Sequence, residues 1–406
     1  MLGRVGAALA LLALASCTTT VDSVGYNGTG GSVRLQPLKR LPSYPNPFRD
    51  ELGKSDTDIA TKIANTFTQL FYGTGDQLIY YPTGDQAYIQ DVLHGDIRTE
   101  GIGLAMMICV ELDKRSEFDR LWNYADRQMR QKDGPRAGYF QSSCDEVTGT
   151  APCDDPYGES QLVTALIFAH DRWRSDSGPA NYEAGALNLL DVMRHKEDQN
   201  GGVVDGITNT FDPSTALPFS VPDVQAADFG RPSIVMPGYY DLWAQATGDS
   251  FWTRAAAAAR AYWQRSAHPT TGLTPLRAKL ADGSPEVYFE RFGPESYRTQ
   301  INMTIDRIWS GGNDWEVAEA NNLLQFFFAH GIGTSYMIDG SAPMGPKDPA
   351  LVVVTGVNAM IGTDSSRIGF MNGVWDLVLP TGMPRYYSGI MDMTALLIMS
   401  GQYRIW

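Results

Sequence analysis

The sequence predicts an all-α protein built as one large domain. Twelve segments between residues 56 and 400 have helical periodicity. Strongly apolar segments, which are typical of buried helices, roughly alternate with amphipathic segments, which are typical of helices with one solvated face. The chain has 406 residues and is therefore long enough to bury a large core.

The N-terminus resembles a bacterial export signal. Arg4 begins a short basic region, and the apolar stretch 7–15 is too short to span a bilayer. The Leu-Ala-Ser-Cys order at residues 14–17 resembles a lipobox, in which Cys17 becomes the lipidated first residue; the alternative is an ordinary signal peptide cleaved near the same place. We expect an exported bacterial lipoprotein, facing the periplasm or in the outer membrane, held to the membrane only by its N-terminal lipid.

The chain then divides into a linker and a domain. Residues 1–17 are the predicted signal peptide, and residues 18–42 are predicted to be a flexible linker, because their Thr-rich and Gly-rich composition cannot bury a core. Residues 43–406 form the predicted domain. Its predicted helices cover 56–71, 102–112, 116–131, 159–172, 181–195, 238–246, 250–266, 295–309, 315–330, 348–360, 368–379 and 387–400.

The most informative stretch is 96–107, where a carboxylate stands at the start of an apolar helix. Thr99 is a candidate N-cap, and Glu100 would lie in the first turn, partly out of water. Burial raises the pKa of a carboxyl, and a protonated carboxyl can act as a general acid. The alternative is that Glu100 is solvated and only complements the helix dipole.

Composition and the spacing of cysteines and histidines bear on possible partners, disulfides and metal sites. The net charge of −14 argues against nucleic acid as a partner. Cys109 lies in the apolar helix and is expected to be a buried thiol, whereas Cys144 and Cys153 bracket a short polar loop and form a possible disulfide in an oxidising compartment. The five histidines are scattered and show no metal-binding spacing. We therefore predict no metal or cofactor.

Several motifs in one order resemble glycoside hydrolase family 8. They are Thr99-Glu100-Gly101 with Met106-Met107, Phe118-Asp119-Arg120-Leu121-Trp122, Gly138-Tyr139-Phe140, the segment 165–173, Ser296-Tyr297-Arg298, Asn358-Ala359-Met360, Arg385-Tyr386-Tyr387 and the C-terminal 400–406. Within the family, the chain is most similar to the reducing-end xylose-releasing exo-oligoxylanases. The resemblance implies an (α/α)6 barrel of inner and outer helices, and inverting hydrolysis of glycosidic bonds without a cofactor.

The resemblance also implies the two carboxyls that inversion needs. One protonates the leaving oxygen, and the other activates water, with roughly 6.5–9.5 Å between them. Glu100 matches the family's acid. Glu295 stands where the family has an Asp base, with Glu290 and Asp306 as alternatives, and it would otherwise be a carboxylate at a helix start. Arg298 would keep the base ionised or contact a sugar.

The expected sugar contacts are less regular than in the family. Tyr157 occupies the place of an Asp that binds sugar in relatives, and Asp155 is a possible substitute. One aromatic of the family's Gly-Tyr-Phe-x-Trp motif is missing, and the segment 345–349 lacks the Leu-His-Pro of the loop that blocks the cleft in exo-acting relatives. The aromatic side chains that we expect to stack on sugars are those of Tyr139, Trp122, Tyr386 and Tyr387.

The sequence therefore favours a family 8 hydrolase of β-1,4-linked oligosaccharides, with xylo-oligosaccharides as the favoured substrate. An endo-acting glucanase, xylanase or chitosanase is the alternative within the family. A sugar-binding surface lipoprotein without catalysis is the alternative from another class, because the base position and Tyr157 both depart from the family pattern.

Overall fold

The structure is a computed structural model that describes residues 34–144, 155–174, 180–341 and 345–406. Its helices, in chain order, are α1 (Pro47–Asp50), α2 (Asp56–Tyr72), α3 (Thr99–Glu111), α4 (Arg115–Tyr124), α5 (Pro156–Trp173), α6 (Tyr182–Asn200), α7 (Pro237–Thr247), α8 (Ser250–Ser266), α9 (Arg298–Ser310), α10 (Asp314–His330), α11 (Pro349–Asn358), α12 (Arg367–Trp375) and α13 (Tyr387–Met399).

Six of these helices form a closed inner ring. Helix α3 packs against α5, and the contacts continue through α7, α9, α11 and α13 back to α3. Each remaining helix except α1 covers one inner helix from outside: α4 on α3, α6 on α5, α8 on α7, α10 on α9, α12 on α11 and α2 on α13. The architecture is an (α/α)6 barrel, which confirms the predicted fold.

Burial explains why apolar and amphipathic segments alternate. In the inner helix α3 every residue except Glu100 is buried, and in α13 every residue after Tyr387 is buried. The outer helix α2 instead buries one stripe that includes Ile59, Ile63 and Phe67. An inner helix is covered on all sides, whereas an outer helix keeps one face in water.

Short strands, which periodicity did not predict, lead the chain into the barrel. Strands β1 (Tyr80–Thr83), β2 (Gln86–Asp91), β3 (Asp96–Arg98) and β4 (Ser143–Cys144) form an antiparallel sheet in that order. Strand β5 (Phe229–Gly230) pairs with β6 (Ala278–Lys279), and β7 (Arg291–Phe292) pairs with β8 (Tyr336–Met337). Because β3 runs directly into α3, the sheet fixes where that helix begins.

Three boundaries differ from the predictions. Thr99 is the first helical residue rather than the N-cap, and its hydroxyl donates to the carbonyl of Gln141. Helix α4 gives way after Tyr124 to one π-helical turn, Ala125–Met129. Residues 34–42, expected within the linker, lie against the barrel: Leu35 and Leu38 are buried, and their N–H groups donate to carboxylates of the α6 and α5 helices.

Candidate active site

A cavity of about 890 Å³ opens at the end of the barrel where the inner helices begin. Residues at or just before the N-termini of α3, α5, α9, α11 and α13 line it, together with the β2–β3 hairpin and several loops. Its lining includes Glu100, Arg298, Glu295, Asp155, Tyr386 and Tyr387. The cavity therefore brings together six predicted site residues that lie up to 287 positions apart in the sequence (387 minus 100).

Glu100 lies in the first turn of α3 with its side chain 13% exposed. Its Oε1 accepts a hydrogen bond from Arg298 Nη1 at 2.5 Å. Burial raises the pKa of the Glu100 carboxyl, while the charge of Arg298 opposes that rise and the charge of Asp155 adds to it. A carboxyl whose pKa is raised in a cavity has the property that a general acid requires.

Two glycines allow the surrounding groups to approach Glu100. A Cβ on Gly158 would lie 2.6 Å from the backbone nitrogen of Glu100, and a Cβ on Gly101 would lie 2.8 Å from the ring of Tyr386. The N-terminus of α5 and the Tyr386 ring can therefore pack directly against the start of α3. This is a physical reason for the glycine in the Thr-Glu-Gly motif.

Arg298 is the first residue of α9 and is buried. Besides its contact with Glu100, its Nε donates to the carbonyl of Glu295 at 3.2 Å, and its guanidinium carbon lies 4.4 Å from the ring centroid of Tyr157. The predicted contact of Arg298 with a catalytic carboxyl thus goes to Glu100, and only the backbone of Glu295 contacts it.

Glu295 lies in the turn before α9, outside the helix that we had predicted to contain it. Its side chain is 55% exposed, and its Oε2 accepts a hydrogen bond from Arg231 Nη1 at 3.2 Å. The carboxylate faces the cavity beside a cation instead of capping the helix. A general base needs a carboxylate that water can reach, and the exposed position of Glu295 at the cavity meets that requirement.

The two alternative bases lie away from the cavity lining. Asp306 is eight residues beyond Arg298 on α9, about 12 Å along the helix axis. Its buried carboxylate accepts hydrogen bonds from Arg260 Nε at 2.7 Å and Nη2 at 2.6 Å. Glu290 is partly buried beside β7, where its carbonyl accepts from the N–H of Ile338. Of the three candidates, only Glu295 has a carboxylate at the cavity.

The structure corrects three of the predicted sugar contacts. Trp122 is 2% exposed in the main core, where Arg130 lies over its ring. Tyr139 is 0% exposed beside Val192, and its hydroxyl donates to the carbonyl of Thr208. Tyr157 is buried under Arg298 and does not line the cavity. Aromatic residues serve cores and sugar sites equally well, so their type alone did not separate the two roles.

The remaining predicted contacts lie where expected. Asp155 caps α5, with its Oδ1 accepting from the N–H of Tyr157 at 3.2 Å, and it lines the cavity. Tyr386 also lines the cavity, and within the described part of the chain its buried hydroxyl has no hydrogen-bond partner. The hydroxyl of Tyr387 donates to the carbonyl of Pro294.

Sequence reasoning missed a charged group on the β2–β3 hairpin. Arg98 Nε lies 3.2 Å from Asp91 Oδ2 and 3.0 Å from Asp96 Oδ1, and His94 Nδ1 lies 2.7 Å from Asp91 Oδ2. All four residues line the cavity. The six residues of β2 alternate between buried and partly buried positions, but a period over so short a segment does not stand out in the sequence.

The segment after residue 344 forms another part of the cavity wall. Pro346, Lys347, Asp348 and Pro349 line the cavity. Asp348 caps α11 by accepting a hydrogen bond from the N–H of Ala350 at 2.9 Å, and burial raises its pKa. The segment expected to differ from exo-acting relatives therefore does border the site.

Some predictions fall on parts of the chain that the structure does not describe. Cys17, Cys153 and the side chain of Cys144 lie outside the described residues, so the lipidation and disulfide stay predictions. Cys109 is a buried free thiol, as expected. Among the described residues, no helix is long and apolar enough to cross a membrane, and no three or more His, Cys, Asp or Glu side chains are grouped as potential metal ligands.

Comparison with known proteins identifies the family. Residues 89–400 match the profile described as "Glycosyl hydrolases family 8". The chain is 32% identical to the reducing-end xylose-releasing exo-oligoxylanase of Paenibacillus barcinonensis over 90% of this chain and 97% of that protein. It is 35% identical to the corresponding enzyme of Halalkalibacterium halodurans over 89% and 94%.

Solved structures agree with the sequence comparison. The Paenibacillus barcinonensis enzyme complexed with xylose superposes with a TM-score of 0.83 at 31% identity, covering 90% of this chain and 98% of that one. A family 8 xylobiose complex from Teredinibacter turnerae gives a TM-score of 0.84 at 34% identity, with the same coverage. Together with the barrel and the carboxyls at its cavity, these matches show that the chain belongs to glycoside hydrolase family 8.

Proposed function

We propose that this enzyme hydrolyses β-1,4-linked xylo-oligosaccharides with inversion, using Glu100 as general acid and Glu295 as general base. The observation that carries the proposal is the largely buried Glu100 carboxyl, which is paired with Arg298 in the lining of the cavity. The substrate class is supported by relatives named exo-oligoxylanases that match nearly the full length of the domain.

In the proposed reaction, protonated Glu100 donates its proton to the leaving glycosidic oxygen. The raised pKa of the carboxyl keeps a larger fraction protonated near neutral pH than an ordinary Glu would have. Arg298 fixes the carboxyl against the cavity wall, and after proton transfer it stabilises the carboxylate that forms. The acid therefore has both a proton to give and a partner for its charged form.

Glu295 would activate the attacking water from the opposite side of the sugar. Its exposed carboxylate is open to water, and its hydrogen bond with Arg231 orients it at the cavity. The Glu side chain is one methylene longer than the Asp of relatives, so either the attacking water or the backbone of this turn would be displaced relative to theirs. The 3.2 Å bond from Arg298 Nε to the Glu295 carbonyl holds that turn relative to Glu100.

The position of cleavage separates exo from endo action. Residues 346–349 line the cavity, and a segment that closes one end there would favour exo action. The missing Leu-His-Pro instead favours the endo-acting alternative. To distinguish exo from endo action, turnover is measured on each oligosaccharide from xylotriose through xylohexaose, in reduced and in unreduced form. Exo action from the reducing end gives xylose from unreduced chains only. Internal cleavage of reduced chains would indicate an endo-acting enzyme.

The same assay tests whether the protein is catalytic at all. Glu100→Gln keeps the size of the side chain and removes the proton donor, so it is the matched negative control. If the wild type binds the sugars as tightly as the variant and neither protein turns them over, the result would support a sugar-binding protein instead. Turnover of cellulo-oligosaccharides or chitosan in preference to xylo-oligosaccharides would contradict the proposed substrate.

We also propose that the enzyme is an exported lipoprotein anchored through Cys17. The support is the lipobox order at residues 14–17, followed by a Thr-rich segment. Metabolic labelling with palmitate and membrane fractionation test this, with Cys17→Ser as the control. The wild type should be labelled and sediment with membranes, and the variant should do neither. Identical fractionation of both proteins would contradict the anchor.

A further inference from the structure

A column of buried side chains runs through the inside of the barrel behind the catalytic carboxyl. Gln161 lies one turn after Tyr157 on α5. The Oε1 of Gln161 accepts a hydrogen bond from the hydroxyl of Tyr239 on α7 at 3.0 Å. The hydroxyls of Tyr239 and Tyr403 are 2.7 Å apart. All four side chains are at most 4% exposed.

Stacked rings make the far end of the column rigid. Tyr239 and Tyr403 both stack on Trp309, at centroid distances of 5.6 and 5.4 Å and interplanar angles of 16° and 13°. The C-terminal segment that carries Tyr403 is tied to α3, because Glu111 accepts hydrogen bonds from the N–H of Arg404 at 2.9 Å and from Trp406 Nε1 at 2.7 Å. These contacts hold the column in place at the opposite end of the barrel.

At its near end the column supports the partner of Glu100. The ring of Tyr157 lies 4.4 Å from the guanidinium carbon of Arg298, and both side chains are buried. Arg298 in turn contacts Glu100 at 2.5 Å. We propose that Tyr157 is a positioning residue, whose ring, held in place by the column, keeps the guanidinium of Arg298 against the Glu100 carboxyl.

The physical basis is the restriction of a long side chain. An arginine loses rotamer entropy when it is fixed, and a desolvated cation–π contact offsets that loss. Without the ring, Arg298 gains alternative positions in which it no longer contacts Glu100. Tyr157, which does not reach the cavity, would then affect catalysis only through Arg298. This inference rests on the proposed function, because it assumes that Glu100 is the acid.

The proposal predicts a change in pH dependence with a defined sign. The charge of Arg298 lowers the pKa of Glu100 against the effect of burial, so a loosened Arg298 allows that pKa to rise. The acid would then keep its proton to higher pH. The other groups that face Glu100 are Arg98 from β3, Asp155 before α5, Glu295 before α9, and the phenols of Tyr386 and Tyr387. None of them changes in the variants below.

The test compares two variants with a matched control. Tyr157→Leu removes the ring, and Tyr157→Phe keeps the ring but removes its hydroxyl. Tyr262→Phe removes an equally buried hydroxyl, which donates to the carbonyl of Ala278 far from Arg298. For each folded protein, kcat/KM on xylotriose is measured from pH 4 to pH 10.

Tyr157→Leu should lower kcat/KM by roughly tenfold and shift the alkaline limb of the profile upward by about half a pH unit or more. Tyr157→Phe, which keeps the ring over Arg298, and Tyr262→Phe should leave the limb unchanged. An unshifted limb in Tyr157→Leu overturns the proposal; if that variant does not fold, an unshifted limb in Tyr157→Met, which also lacks the ring, overturns it.

One further variant separates this failure from failure of the proposed function. If Glu100→Gln is inactive while the Tyr157 variants keep the wild-type limb, Glu100 remains the acid and only the positioning role is wrong. If Glu100→Gln keeps its turnover, the acid assignment fails and the positioning role fails with it.

Discussion

The clearest single perturbation is removal of the Glu295 carboxylate, because the structure separates its effects on stability and chemistry. The Glu295 side chain is 55% exposed and that of its partner Arg231 is 31% exposed. An exposed ion pair of this kind contributes about 0–1 kcal/mol to the free energy of unfolding. Glu295→Ala should therefore lower the melting temperature by only a few degrees at most.

The effect on catalysis should be far larger. Loss of a general base costs roughly 10²–10⁴ in rate, so kcat of Glu295→Ala on xylotriose should fall by at least about 10². Glu295→Asp keeps a carboxylate but shortens its arm, and it should be impaired without being inactive. Azide should restore some activity to the alanine variant by taking the place of the attacking water.

Glu290→Ala is the matched control, since that carboxylate does not line the cavity. It should have wild-type kcat and a similar melting temperature. Near-normal turnover in Glu295→Ala would refute the reasoning and transfer the role to another cavity carboxylate, of which Asp155 and Asp348 are the best placed. A large loss in both the alanine variant and the control would indicate damage to the fold instead.

Three further predictions concern the surroundings of the site and the barrel. Gly158→Ala should lower kcat and cost about 1–3 kcal/mol of stability, since its Cβ would lie 2.6 Å from the nitrogen of Glu100. An unchanged kcat and an unchanged urea midpoint would contradict this close approach. The hydroxyl of Tyr386 has no partner among the described residues and is therefore free to contact a sugar. Tyr386→Phe should raise KM by roughly two- to tenfold without lowering the melting temperature, and an unchanged KM would exclude a sugar contact. Burial and the negative charge of Asp306 raise the pKa of Glu316 to about 9, so the stability it contributes is full below about pH 4.5 and falls as pH rises towards 9. Glu316→Gln should flatten the decline in urea stability over this range, and equal declines would contradict the assignment.

The sequence predicted most of the helical framework because each barrel helix has a distinct burial pattern. An inner helix such as α3 is apolar on all sides, and an outer helix such as α2 has one apolar stripe. The strands were missed because they have two to six residues, too few for a period to stand out. The Thr99 boundary was shifted by one residue because β3 continues directly into the helix, and the Thr99 hydroxyl bonds to Gln141.

The site was predictable where a motif fixes both residue and position. Glu100 and Arg298 come from short motifs at helix starts, and the barrel brings those starts to one cavity. Their direct contact, and that of Arg231 with Glu295, join residues far apart in sequence and require the tertiary fold. Burial was the main obstacle for aromatic residues, since Trp122 faces the core although its type suits a sugar site equally well.

The central claim is that Glu100 and Glu295 hydrolyse the glycosidic bond with inversion. Proton NMR of the first product formed from unreduced xylotriose, recorded before mutarotation, tests it most directly. Inversion requires that xylobiose appears first with an α-anomeric reducing end, and Glu100→Gln should give no product. First release of the β-anomer would mean that configuration is retained, and it would contradict the proposed roles of both carboxyls.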